Sequence, residues 1–271
     1  MSLMHPGFDP VALAMGPVAI RWYALSYIVG IFGAWGYVRF MAQRPAKGPP
    51  VITPQQTEDF VTWAVLGIVF GGRLGYVLFY KPLYFLDHPQ EIPFLWQGGM
   101  SFHGGLLGVI LATVLFARRR AVSVGGLGDL LGCAAPIGLM LGRIGNFING
   151  ELHGRPAPPD LPWAMVFPQV DSLPRHPSQI YEALLEGALL LVVMHLLWRI
   201  RALRAREGAL LGLFLIGYAA ARGTAEFFRE PDAHLGFLLG GATMGQGLSL
   251  PMVVIGALLV EEAWRHGRKR G

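Results

Sequence analysis

Seven runs of this 271-residue chain are apolar enough, for long enough, to cross a bilayer: roughly 17–40, 58–80, 101–117, 125–150, 178–199, 208–229 and 244–264. A spanning helix needs about 20 mostly apolar residues. In hydrocarbon, only helices and closed barrels satisfy every backbone polar group. The pattern therefore predicts an all-α integral membrane protein of about seven transmembrane helices, arranged as one polytopic domain over residues 1–271. The third run is short, but Arg118-Arg119-Arg120 gives it a firm stop. The fourth carries Pro136 and many glycines, which membrane helices tolerate where neighbours satisfy the backbone. Only 14% of residues are charged, against about 25% in soluble domains. The single cysteine, Cys133, excludes a disulfide framework and a cysteine-based metal site. Residues 1–17 lack a basic n-region and contain Pro6, Asp9 and Pro10, so the first span is expected to stay uncleaved.

Loop charge predicts the orientation. Alternate connections hold Arg39, Arg44 and Lys47, then Arg118, Arg119 and Arg120, then Arg199, Arg201, Arg204 and Arg206; the C-terminal tail adds Arg265, Arg268, Lys269 and Arg270. The opposite loops hold only Lys81, Arg155, Arg175 and Arg229. The positive-inside rule puts the richer side in the cytoplasm, with the N-terminus outside and the C-terminus inside. The basic residues form short clusters between apolar runs, without the interleaved aromatics of a nucleic-acid patch, so no nucleic-acid partner is expected. The loops 81–100 and 151–177 are the longest outer segments, and both contain proline and aromatics suited to a membrane surface.

Charged residues at membrane depth are costly and point to function. The orientation places Tyr23 near the outer end of span one, His103 at the outer start of span three, Arg143 and Asn146 in the outer third of span four with Glu151 just above, and Arg222 and Glu226 in the outer half of span six. Polar residues of four spans thus converge on the non-cytoplasmic side. Arg143 and Asn146, three apart, share a helix face; Arg222 and Glu226, four apart, can pair. Arginine grips phosphate through two parallel hydrogen bonds, and lipid phosphates lie at this depth, so Arg143 and Arg222 are expected to clamp an anionic phospholipid headgroup. Structural roles compete. Arg222–Glu226 serves equally well as a structural ion pair, Gly138, Gly142 and Gly145 as close packing points, Tyr23 beside Trp22 as part of an aromatic belt, and His103 as an interfacial or capping residue. His195 reads as a satisfied core histidine, Arg73 as a snorkelling or neighbour-paired residue, and Asp129 and Glu186 as interhelical partners.

Other classes fit less well. A retinal-type receptor needs a Schiff-base lysine, and span seven has none. A transporter for anionic solutes predicts inverted repeats and midplane polar residues, whereas the polar residues here gather near one surface. A metal-dependent phosphotransferase needs clustered acids, whereas the seven aspartates are scattered. No metal and no cofactor are expected.

The block GRIGNFINGELHG (Gly142 to Gly154), with FHGG (Phe102 to Gly105) and RGTAEFFREPD (Arg222 to Asp232), resembles the prolipoprotein diacylglyceryl transferase family. So do IRWYALSY in the first span, GGRLGYVLFY in the second, LPRHPSQIYEALLEG before and into the fifth, and MGQGLSLPM at the start of the seventh, all in the family's order. The thirteen-residue block is highly specific, and the compact 155–175 connection is the one departure. The resemblance implies transfer of the diacylglyceryl group of phosphatidylglycerol to the lipobox cysteine thiol of a prolipoprotein signal peptide. That reaction forms a thioether and releases glycerol phosphate, as the first step of lipoprotein maturation at the outer face of the bacterial cytoplasmic (inner) membrane. Motif matches carry over Tyr23, His103, Arg143, Asn146, Glu151, Gly154, Arg222 and Glu226. Among these, His103 is expected to act as the base, Arg143 and Arg222 to stabilise the leaving phosphate, and the others to bind substrate.

Overall fold

The computed structural model describes residues 2–16, 18–158, 160–231, 236, 238 and 241–269. Eight helices carry the architecture: α1 (Trp22–Ala42), α2 (Pro54–Phe79), α3 (Pro82–Asp87), α4 (Phe102–Arg119), α5 (Val124–Asn149), α6 (Ser178–Arg199), α7 (Ala209–Ala225) and α8 (Met244–Lys269). Six of them, α1, α2, α4, α5, α6 and α8, are long and apolar enough to cross a membrane. The run at 208–229 becomes the shorter α7, of 17 residues, about 25 Å at 1.5 Å per residue. The chain is thus a multi-pass, mostly helical membrane protein.

Short strands decorate the helical frame. The first apolar run begins as a hairpin, β2 (Val11–Met15) antiparallel to β3 (Val18–Arg21), and α1 starts only at Trp22. Strand β1 (Leu3–Met4) pairs in parallel with β4 (Met165–Val166), which pairs antiparallel with β5 (Pro174–Arg175). Pieces this short carry too little periodicity to read from sequence.

Close contacts divide the chain into two units: residues 39–128, and residues 1–38 with 129–271. In the first, α2 opens with a capping box between Thr53 and Gln56 and with Pro54 in its first turn, a start suited to the helix's unsatisfied N–H groups. Helices α2 and α4 meet along a seam of glycines. A Cβ on Gly71 would lie 2.8 Å from the Gly108 Cα, and one on Gly75 2.8 Å from the Gly104 Cα. Only glycine allows that approach, as at small-residue membrane interfaces. Arg73, midway between the seam's Gly71 and Gly75, is 5% exposed. It does not snorkel, and it meets no carboxylate among the described residues. Its guanidinium donates to four main-chain carbonyls, those of Glu91 (2.8 Å), Ile92 (2.7 Å), Gly98 (2.7 Å) and Gly99 (3.2 Å). The loop after α3 is therefore wrapped around a buried charge.

In the second unit, α1 packs on α5 where a Gly30 Cβ would touch the Gly138 Cα at 3.4 Å. Asp129 of α5 accepts from the Gly208 N–H (2.9 Å) and the Leu211 N–H (2.7 Å), capping the start of α7 from another helix, an interhelical role as expected. The His195 Nδ1 meets the Tyr37 hydroxyl at 2.7 Å, a satisfied histidine as the sequence suggested. Residues 183–189 of α6 are wound as a π-helix between two α-helical turns, a rare geometry frequent at functional sites. The segment 150–177 is fastened by the sheet β1–β4–β5 and by the His5 N–H, which donates to the Val166 carbonyl at 2.9 Å. His5 Nδ1 accepts from the Gly7 N–H, which leaves Nε2 to donate to the Phe147 carbonyl at 2.8 Å.

Candidate active site

Arg143 on α5 and Arg222 on α7 converge on one carboxylate. Glu182 Oε2 forms an ion pair with Arg143 Nη2 at 2.8 Å and accepts from Arg222 Nη1 at 2.7 Å. Arg229, just past the end of α7, reaches the same oxygen through Nη1 at 3.4 Å. Glu186, four residues on, adds Oε2 to Arg143 and Oε1 to Arg222, each at 3.4 Å. Glu226 closes the group, its Oε1 ion-paired with Arg222 Nη2. Glu182 and Glu186 are both fully buried. Glu186 is thus the interhelical partner expected of it, and Arg222–Glu226 pair as their i,i+4 spacing suggested.

One expectation needs correction. Sequence reading expected Arg143 and Arg222 to be turned to an anionic headgroup, but three guanidiniums here already face three carboxylates, Glu182, Glu186 and Glu226. An uncompensated arginine at this depth carries a desolvation cost that Coulomb attraction to a paired carboxylate offsets. The binding capacity lies in the unused edges. Arg143 contacts the carboxylates through Nη2 alone, which leaves Nε and Nη1 without a protein acceptor among the described residues. A cavity of about 30 Å³ lies beside Arg222, Glu226 and Arg229 and is lined also by Thr243 and by Met244 and Gly245 at the start of α8. Among the described residues, no set of three His, Cys, Asp or Glu side chains forms a metal-ligand cluster.

The other site residues form a second group beside the first. Asn146, three residues from Arg143, turns its amide to Glu151 Oε1 at 2.8 Å. Asn149 reaches the same oxygen at 3.3 Å. Gln179, at the start of α6, donates to the main-chain carbonyl of Glu151 at 2.7 Å, and Ser178 to that of Leu152 at 3.0 Å. Tyr23 of α1 lies against Gly145 and within electrostatic reach of Arg143 and Glu151. Its hydroxyl meets that of Tyr27 at 3.0 Å.

Gly154 acts through its backbone. It pairs with Arg229 across an antiparallel bridge, its N–H donates to the His176 carbonyl (3.0 Å), and its own carbonyl accepts from Arg175 Nη1 (3.0 Å). A Cβ there would lie 2.6 Å from the Phe228 carbonyl oxygen. Arg155 fastens the same turn, donating to the main-chain carbonyls of Arg229 (2.8 Å) and Glu226 (3.0 Å). Three stretches of chain are thus stitched where Arg229 enters the cluster. Around them, Arg175 holds the Asp171 carboxyl below the usual carboxylate range. Burial, aided by the Arg175 charge, lowers His153 below the ordinary imidazole value, and burial lowers His176.

The structure therefore joins Arg143 and Arg222 through Glu182 and Glu186, Arg222 with Glu226, and Asn146 with Glu151, while Gly154 and Tyr23 flank them in the same unit. His103 belongs to the unit of residues 39–128, at the second position of α4; its one ring contact there is with Phe102. Sequence reasoning passed over Glu182 and Gln179 and counted Arg229 as a loop charge. The spacing of Glu182 and Glu186 inside an apolar run was the signal available for the first. For Arg229, no local pattern marks the fold-back.

The arrangement can be compared with known proteins. A family model described as prolipoprotein diacylglyceryl transferase matches residues 10–261. This chain belongs to the prolipoprotein diacylglyceryl transferase family. The phosphatidylglycerol–prolipoprotein diacylglyceryl transferase of Paramagnetospirillum magneticum is 58% identical over 99% of this chain and 98% of its own length. That of Rhodospirillum rubrum is 58% identical over 97% and 95%, and that of Azospirillum brasilense 53% over 98% and 98%. Membership of a prolipoprotein diacylglyceryl transferase family makes the chain a membrane-embedded transferase. All the site residues described above fall inside the matched span.

Proposed function

We propose that this chain transfers the diacylglyceryl group of phosphatidylglycerol to the lipobox cysteine of a prolipoprotein signal peptide, the first step of lipoprotein maturation. The observation that carries the reading is the meeting of Arg143, Arg222 and Arg229 on one oxygen of the buried Glu182, in a chain of this family. A phosphodiester brings one negative charge and gains another as it leaves. Donors already fixed in place stabilise that developing charge more than the ground state, which is what accelerates a step. Held by Glu182, Glu186 and Glu226, the guanidiniums need no reorganisation when the charge appears.

The step balances simply. The cysteine sulfur forms a bond to the terminal glyceryl carbon, the carbon–oxygen bond to phosphate breaks, and glycerol phosphate departs with the electron pair. The thiol proton passes to His103, the proposed base, since the thiolate is the nucleophile. Tyr23, Asn146, Glu151 and Gly154 bind or shape the substrate pocket, and Glu226 orients Arg222. The reading also takes the chain as one seven-span polytopic domain in the bacterial inner membrane, N-terminus outside, with the site facing the periplasmic leaflet. Loop charge supports that orientation.

Purified protein, given phosphatidylglycerol and a lipobox peptide, is expected to add a diacylglyceryl mass to the peptide cysteine, read by mass spectrometry. His103→Ala is expected to abolish the product while the protein stays folded; full activity in that variant would remove His103 as the base. Absence of any lipid transfer, together with anion flux through proteoliposomes, would overturn the transferase reading in favour of a transporter.

A further inference from the structure

We propose that the amide oxygens of Gln179 and Asn149, with the second carboxylate oxygen of Glu182, form the subsite that recognises the hydroxyls of the glycerol headgroup. This inference rests on the transferase reading and adds to it the residues that select the lipid. Gln179 Oε1, Asn149 Oδ1 and Glu182 Oε1 are each buried without a donor among the described residues. Gln179 and Glu182 are 0% exposed. Folded proteins leave few buried acceptors unpaired, and each calls for a physical explanation.

The chemistry of the missing donor follows from the groups present. Gln179 Nε2 donates to the Glu151 carbonyl (2.7 Å) and Asn149 Nδ2 to the Glu151 carboxylate (3.3 Å). With each NH₂ facing an acceptor, flipping either amide would set oxygen against oxygen, so the orphan atoms are oxygens and can only accept. Their partner must donate. A phosphodiester cannot, but a diol can. An ammonium headgroup also donates, yet two of the three acceptors are neutral amides that offer it no counter-charge, and the charge of Glu182 is already matched by Arg143, Arg222 and Arg229. Placement agrees. Gln179 and Glu182 are three apart on one face of α6, and Asn149 joins them through Glu151. The acceptors therefore run from Glu151, which is exposed, to the arginine-bound Glu182. A headgroup glycerol esterified at the arginine end would lay its hydroxyls along that line.

The test compares phosphatidylglycerol with phosphatidylethanol, which carries the same phosphodiester charge and no headgroup hydroxyl. The wild type is expected to favour phosphatidylglycerol at least tenfold in kcat/KM, in keeping with the rejection of hydroxyl-lacking analogues by sites built to bind a hydroxyl. Gln179→Met and Asn149→Leu are each expected to cut that preference by about tenfold, read as the ratio of the two lipids' kcat/KM in each variant. A merely structural role would depress both lipids alike. Should Gln179→Met fail to fold, the half-buried Asn149 still gives the ratio. A wild type that treats both lipids equally, or variants that leave the ratio unchanged, would overturn the subsite and assign these oxygens to water. A wild type that transfers neither lipid would overturn the transferase reading instead. In that case, binding of the two lipids to wild type and Asn149→Leu, read by native mass spectrometry, decides the subsite.

Discussion

Arg73 and Arg222 are both arginines in apolar helices, and the protein neutralises them in opposite ways. Arg73 is caged by four main-chain carbonyls of the loop it organises. Arg222 is held by three glutamate side chains and borders a cavity. A carbonyl cage spreads the charge over dipoles that belong to one loop conformation, so the guanidinium is committed to holding it. Carboxylates fix the charge while leaving neighbouring N–H edges for another anion. The difference separates a buried cation that builds structure from one proposed to act on substrate, and exposure alone does not reveal it.

The largest effect should come from breaking the carboxylate-held group. Arg222→Ala leaves Glu182, Glu186 and Glu226 short of a counter-charge. Removing one partner from such a group costs about 3–5 kcal/mol. Transfer activity should fall at least ~1,000-fold, in line with the loss of a preorganised donor at a developing oxyanion. Thermal unfolding in detergent and the mass-spectrometric assay would report the two losses. Near-normal activity in this variant would mean that Arg222 is as structural as Arg73.

Arg73→Met should split the two properties the other way. Four charge-assisted hydrogen bonds disappear and their carbonyls lose a donor, which should destabilise the fold by about 2–3 kcal/mol. Limited proteolysis should then cut the 82–100 segment faster, while activity per folded molecule stays within a few-fold. A thousand-fold loss of activity without new proteolytic sites would erase the contrast.

Gly154→Ala tests whether the chemical region depends on main-chain fit as well as on charge. Its Cβ would crowd the Phe228 carbonyl at 2.6 Å, next to the residue that brings Arg229 into the cluster. A cost of about 1–3 kcal/mol is expected, with activity falling further than after Arg73→Met. Equal tolerance of alanine at Gly154 and at an exposed loop glycine would refute the stitching role.

The smallest effect is on pH dependence. The carbonyls around Arg73 do not titrate, so protection of the 82–100 segment in hydrogen exchange should be flat between pH 7 and 5. The 150–177 segment should weaken over that range. His153 and His176 have folded values below the unfolded one, so the unfolded chain binds protons first. Stability is whole above about pH 6.5 and declines as pH falls through that value towards the folded ones. Asp171, held low by Arg175, contributes stability above about pH 4 that is lost as pH falls further through its folded value. His153→Gln should flatten the first decline.

Much of this was legible along the chain. Apolar runs located α2, α4, α5 and α6 to within a few residues, because a helix in hydrocarbon must be both long and apolar whatever its neighbours do. The i,i+4 spacing of Arg222 and Glu226 gave their pairing, since helical geometry alone brings such residues together. The specific blocks around Arg143 and Gly154 gave the family. Hidden were the late start of α1, where a hairpin takes up the first apolar residues, and the fate of Arg73, whose four acceptors are main-chain carbonyls with no side-chain signature.

Sequence alone thus determined that the chain lives in a membrane and which arginines lie in its apolar runs, because burial and charge in hydrocarbon are costs each residue incurs wherever it sits. Only the tertiary structure decided that the arginines are neutralised by Glu182 and Glu186, that Arg229 folds back to join them, and that Gln179 presents an unpaired oxygen beside them. Those outcomes depend on which helices pack together and how the 150–177 segment folds over them. Long-range contacts of that kind leave no periodicity in the chain.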